Sequence, residues 1–202
     1  MKRSILALAG VLALAATAMP ALAAMSLDVP LVATAPSLDP HATSAFNGSA
    51  TAQLVSYNNQ SNAADEPATV RLLSDGKALY VRFDVTQRYE PLEGLDGGDS
   101  VAVDFWSGGD RYHLGVGLNG AHTSDSTPNT TDWATAVATR SGGYTATIKV
   151  PQDVATGAHA QFSRWISSAG ELQVWSHDAS APAADELAQA GTLTFASSVG
   201  KN

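Results

Sequence analysis

The chain has 202 residues, of which 19 are Asp or Glu and 11 are Lys or Arg, for a net charge of −8. That balance argues against nucleic acid or an anionic membrane surface as partner, because both call for basic surface. There are no cysteines, which excludes disulfides, thiolate metal sites and cysteine nucleophiles.

The first element is an export signal. Lys2 and Arg3 precede an uncharged apolar run from Ile5 to Ala16, Pro20 ends it, and Ala21-Leu22-Ala23 offers the small residues a signal peptidase reads. A bilayer span needs roughly 20 apolar residues and this run has about a dozen, so residues 1–23 read as a removed signal peptide and not as a membrane anchor. Cleavage after Ala23 leaves a single domain, residues 24–202, periplasmic or extracellular. Losing Lys2 and Arg3 reduces the basic residues to 9 against 19 acidic, a net charge of −10.

From Ala24 to about Gln60 the chain is rich in Ala, Ser, Thr and Asn and reads as a leading segment that wraps the domain, with one strand at Gln53–Tyr57. From Thr69 onward, apolar and polar residues alternate with a period of two, the mark of half-buried strands. The first hairpin spans Val70–Val85. Asp75-Gly76 reads as a two-residue type I′ turn, pairing Ser74 with Lys77, Leu72 with Leu79 and Val70 with Val81. The second spans Val101–Leu118 about Ser107-Gly108-Gly109-Asp110. It pairs Phe105 with Tyr112, Val103 with Leu114 and Val101 with Val116 on the core face. A third joins Trp133–Thr139 to Tyr144–Val150 through Arg140-Ser141-Gly142-Gly143, and Pro151 stops it. Shorter strands follow at Gln161–Ile166, Glu171–Trp175 and Thr192–Phe195, with one helical turn near Ala184–Ala188. Short strands at regular spacing predict an all-β, antiparallel β-sandwich of jelly-roll type, with an up-and-down barrel as the alternative. The loops Thr86–Gly98, Ala121–Asp132 and Ser176–Ala190 lie where such folds place function.

Enzyme signatures are absent: no G-x-S-x-G elbow, no H-E-x-x-H, no phosphate-binding glycine loop. His41, His113, His122, His159 and His177 lack metal-ligand spacing. Asp96 and Asp99, with Asp104 nearby, are weak calcium candidates, weighed against a solvated turn. The outer face of the second hairpin is more informative. Ala102, Gly115 and Gly117 leave the sheet low there, and Trp106, Arg111, Asp104 and His113 rim that floor. Aromatic and planar polar side chains suit sugars, which stack on rings through CH faces and bond through hydroxyls. The alternative is a packing seam covered by another segment. Tyr89 and Trp133 are further contact candidates, whereas Trp165 and Trp175, in strands, are expected to be buried. Asp104 facing His113 would favour imidazolium, so affinity is expected to vary between about pH 5 and 8.

Five motifs in order then carry a resemblance. Val70-Arg71-Leu72-Leu73-Ser74-Asp75 with Leu79-Tyr80-Val81-Arg82-Phe83-Asp84-Val85, Gly98-Asp99-Ser100-Val101, Tyr112–Gly120, Gly143-Tyr144-Thr145-Ala146-Thr147-Ile148-Lys149-Val150-Pro151, and Val174-Trp175-Ser176 with Gly191-Thr192-Leu193-Thr194-Phe195 are similar to the conserved strands of family 9 carbohydrate-binding modules. The match spans about residues 28–196. The resemblance implies an antiparallel sandwich, non-catalytic, that binds sugar between aromatic rings, supports carbohydrate catabolism and travels with glycoside hydrolases or surface transport systems. It also implies a glutamate on the D-x-V-E strand and another in G-Y-x-x-E, where this chain has Ala102 and Thr147. A degenerate sandwich serving as a structural or protein-binding module remains open. So does a haem-holding DOMON-type domain, although only Met25 survives as a methionine after residues 1–23 are removed.

Overall fold

The computed structural model describes residues 25–57, 66–87, 98–124, 132–176 and 189–197. The expected signal peptide at 1–23 and the helical turn at Ala184–Ala188 lie outside them.

Among the described residues thirteen strands run in chain order: β1 (Ser26–Val29), β2 (Ala50–Gln53), β3 (Val55–Ser56), β4 (Ala68–Ser74), β5 (Ala78–Thr86), β6 (Ser100–Ser107), β7 (Asp110–Gly117), β8 (His122–Ser124), β9 (Ala134–Arg140), β10 (Gly143–Pro151), β11 (His159–Ile166), β12 (Glu171–Val174) and β13 (Gly191–Phe195). They form two sheets. One is β2-β4-β5-β10-β9; the other is β1-β13-β11-β6-β7-β8, with β12 and then β3 alongside β11. Every strand pair is antiparallel except β1 with β13. Two separate strand orders make this a sandwich and not a closed barrel.

Alternation builds the core. Val70, Leu72, Val81 and Phe83 from the five-stranded sheet face Val101, Val103, Phe105, Leu114 and Val116 from the other, all in one buried cluster. The outer face of the five-stranded sheet is partly covered by the leading segment, which wraps as expected. Ser74 N–H donates to the Pro30 carbonyl, Val32 N–H donates to the Ser74 carbonyl, and Phe46, on a 3₁₀ turn at Thr43–Phe46, packs on Leu73, Ala78 and Tyr80.

The second hairpin has the expected register throughout, from Val101 opposite Val116 to Ser107 opposite Asp110. The first does not. Ser74 pairs with Leu79 and Leu72 with Val81, two residues away from the type I′ register. Such a turn needs left-handed backbone at both Asp75 and Gly76, and only Gly76 has it, at φ +81°. The Asp75 carboxylate instead accepts hydrogen bonds from Lys77 N–H at 2.9 Å and Ala78 N–H at 2.8 Å, holding a wider turn. Burial works to raise the Asp75 pKa. Those two donors and the Tyr80 hydroxyl outweigh it and hold the carboxyl below its ordinary range. A shift of two preserves the face of every side chain, so the apolar pairs still meet. Further differences are local. The Gln53–Tyr57 strand is split at Leu54, β8 occupies part of the expected Ala121–Asp132 loop, and a single helical turn, Gln152–Ala155, follows Pro151.

Candidate functional site

The same alternation that buries Val103 and Phe105 turns Asp104 and Trp106 to the outer face of the eight-stranded sheet. On β7, His113 stands opposite Asp104 and Arg111 opposite Trp106. On β11, Gln161 flanks Asp104 and Ser163 flanks Ala102. These side chains meet in a cleft of about 390 Å³, closed on its far side by Leu172, Val174 and Tyr57. Of the five expected site residues, Asp104, Trp106, Arg111 and His113 come together here; Tyr89 lies outside the described residues.

Asp104 is the anchor. Its carboxylate, only 6 % exposed, accepts from Arg111 Nη2 at 3.0 Å and from His113 Nδ1 at 2.8 Å. A carboxylate can only accept, so the imidazole carries its proton on Nδ1. Both bonds, and a longer one from Arg111 Nε, end on Oδ1. Oδ2 receives no hydrogen bond from the described residues. The Arg111 guanidinium also lies 5.6 Å from the centre of the Trp106 ring, a cation–π contact that covers part of the indole. Trp106 is half-buried, not sealed beneath a covering segment. Gln161 lines the cleft as a brace: its Oε1 accepts from Trp175 N–H at 3.1 Å and Ser176 N–H at 3.0 Å, and its Nε2 donates to the Ser176 carbonyl.

Gly115, Ala102, Ser163 and Val174 form one row across β7, β6, β11 and β12. One row further along stand Ser100 and Trp165. Trp165 is 39 % exposed, which corrects its expected burial. The alternation of β11 sends Ala160, Phe162, Arg164 and Ile166 inward, and Trp165 therefore faces out. Six residues of β6 separate the Trp106 and Trp165 rows, about 20 Å at the rise of a strand. Trp175 is buried as expected, tilted on Phe162 at 5.2 Å between ring centres. Trp133 is not in the cleft: it packs on the main core and takes His122 edge-on at 4.8 Å.

Asp99 points inward. It is fully buried, accepting from Gln87 Nε2 at 2.7 Å and Ser167 N–H at 2.8 Å. Gln87 Oε1 in turn accepts from Arg164 Nη2 at 2.9 Å, and Arg164 Nη1 donates to the Glu66 carbonyl at 2.9 Å. Asp99 thus belongs to a buried polar network around Arg164. Its companion candidate Asp96 lies outside the described residues. Thr147 is buried on the five-stranded sheet opposite Arg82, away from the cleft, whereas Ala102 lies in the row of Gly115 and Ser163.

The architecture is an antiparallel sandwich with a polar and aromatic cleft on one outer sheet face. The fold is that of family 9 carbohydrate-binding modules. A family 9 module from Caldicellulosiruptor kristjanssonii in complex with cellotriose aligns over 88 % of this chain and 100 % of its own, at 17 % identity and TM-score 0.65. In complex with glucose, a family 9 module from the same organism aligns over 88 % and 99 %, at 15 % identity and TM-score 0.65. A protein from Bacteroides uniformis aligns over 86 % of this chain and 100 % of its own, at 14 % identity and TM-score 0.61. No family model matches the sequence, and no curated protein matches it. Among the described residues no helix is long and apolar enough to cross a membrane.

Proposed function

We propose that this chain is an exported, non-catalytic carbohydrate-binding module that holds a sugar chain along the outer face of its eight-stranded sheet. The observation that carries the reading is the convergence of Trp106, Asp104, Arg111 and His113 in one cleft, on a fold shared with modules solved in complex with cellotriose and glucose. Asp104 Oδ2 accepts from sugar hydroxyls, Trp106 stacks on a ring face, and the small side chains of Ala102 and Ser163 let the ligand lie close to the sheet. Trp165 adds a second stacking surface further along. Export follows from residues 1–23, with the mature chain starting at Ala24 in the periplasm or outside the cell. There the module serves carbohydrate catabolism beside a glycoside hydrolase.

A glycan array with the mature chain, followed by calorimetry on the best oligosaccharide, tests the reading. Binding that is lost in Trp106→Ala is the expected result; no binding to any glycan would overturn it. Intact mass of the exported protein should match residues 24–202, and retention of 1–23 would sink the export assignment. On this reading the module needs neither haem nor calcium. A Soret band, or a melting temperature that drops on chelation, would refute that.

A further inference from the structure

A second cleft, of about 580 Å³, lies on the opposite side of the molecule, between the outer face of the five-stranded sheet and the leading segment. It shares no residue with the first. Arg71 on β4 and Arg82 on β5 stand directly opposite each other. Asp84 bridges them, with Oδ2 at 2.9 Å from Arg71 Nε and Oδ1 at 2.8 Å from Arg82 Nε. Both oxygens of the one carboxylate in the lining are therefore taken by Nε groups. Arg140, at the exposed end of β9, brings a third guanidinium, held by one 3.3 Å bond to the Val85 carbonyl.

Three arginines against one aspartate make this a basic cleft in a chain of net charge −8. Arg82 is the telling member. It is 2 % exposed, its guanidinium lies 5.7 Å from the centre of the Phe46 ring, and its Nη1 is enclosed with no hydrogen-bond partner among the described residues. A buried guanidinium with an unmet donor is costly, and a negative charge entering the cleft offsets that cost. Hydroxyl and amide groups from Thr43, Ser44, Asn47, Thr139 and Thr145 line the cleft beside Pro40, His41 and Ala138. The Phe46 ring in the lining is itself buried. Such a surface recognises by hydrogen bonds and charge, not by stacking.

We infer that this cleft is a second binding site, for the carboxylate of an acidic sugar: the arginines take the oxyanion bidentately, and the hydroxyl and amide groups take the ring hydroxyls. The proposal rests on none of the residues of the first cleft. Nuclear magnetic resonance with the mature chain, titrated separately with glucuronate, glucose and inorganic phosphate, tests it. Glucuronate should move amide signals in β4, β5 and Thr43–Phe46 together with the Nε–H signals of Arg71 and Arg82, and added salt should weaken it. Glucose should leave those signals unmoved. Arg140→Gln and Arg71→Gln should each raise the dissociation constant about tenfold, the effect of one lost charge-assisted hydrogen bond. Arg140 is exposed, so its variant keeps the fold even if Arg71→Gln does not. No movement on this face, equal movement with glucose, or indifference to Arg140→Gln would overturn the site. Phosphate binding the same residues more tightly than glucuronate would overturn the acidic-sugar assignment.

Discussion

Asp104→Asn separates two jobs of one side chain. The amide oxygen can replace Oδ1 and keep accepting from Arg111 and His113, while the amide nitrogen replaces Oδ2, the atom left for ligand. The domain should therefore stay folded. Arg111 is 46 % exposed on its side chain, so water screens the lost ion pair and stability should fall by less than about 1 kcal/mol. Binding should suffer more. A hydrogen bond to a charged group is worth about 1.5–3 kcal/mol, or roughly ten- to a hundredfold in affinity. Calorimetry with the best oligosaccharide, beside a thermal melt, reads both quantities. Asp104→Ala, which also removes the oxygen that Arg111 and His113 share, should bind more weakly still. An Asp104→Asn protein that melts and binds like wild type would show that Oδ2 does not meet ligand.

Trp106→Ala should reduce affinity at least about tenfold, as hot-spot truncations costing roughly 2 kcal/mol do, with the melt nearly unchanged. Trp165→Ala should cost little stability and weaken long oligosaccharides more than a monosaccharide, and equal weakening of both would place Trp165 outside the binding track. Trp175→Ala should destabilise by about 3–5 kcal/mol in a denaturant melt, because the ring is buried on Phe162 and against Gly191, where even a Cβ would lie 2.5 Å from the indole. Tyr80 and Tyr144 are pushed up to about 12, Tyr80 by burial and then by its bond to Asp75, Tyr144 by burial against the pull of Arg164. The folded state prefers the neutral phenol, so this contribution is whole below pH 10 and is lost as pH rises towards 12. Phenolate absorbance should show both rings un-ionised in folded protein at pH 11, and ionisation of both near 10 would refute the burial argument.

What could be read from residues alone depended on how strongly neighbouring side chains constrain the backbone. The second hairpin was legible because three apolar pairs and a Gly-Gly turn agree on one register, and that register put four site residues on one face. The first hairpin misled because Asp-Gly chemistry allows two turns. The choice rests with a carboxylate that caps Lys77 and Ala78, which a two-residue motif does not reveal. Trp165 misled for a different reason. The parity of β11, set by Phe162, already pointed it outward, but accepting that meant burying Arg164. The partners that make a buried arginine tolerable, Glu66 and Gln87, lie 98 and 77 residues away. Leu172 and Val174 reach the cleft through the β11–β12 hairpin, and Tyr57 through the pairing of β3 with β12, a long-range contact with no local signature. Arg71, Arg82 and Arg140 were hidden likewise, since only the strand order β4-β5-β10-β9 brings them together.

The parallel pairing of β1 with β13 has a mechanical consequence. Ser26 lies beside Thr192 and Val29 beside Phe195, with backbone bonds from Thr192 to Met25 and from Ala196 to Val29 at the two ends of the ladder. Chain entering at Ser26 and chain leaving at Phe195 therefore pull on opposite ends of two strands that run the same way. A load passed through the domain slides the strands along each other and strains all these bonds at once, instead of peeling them open one by one. Such a clamp yields at higher force than a hairpin pulled from its open end.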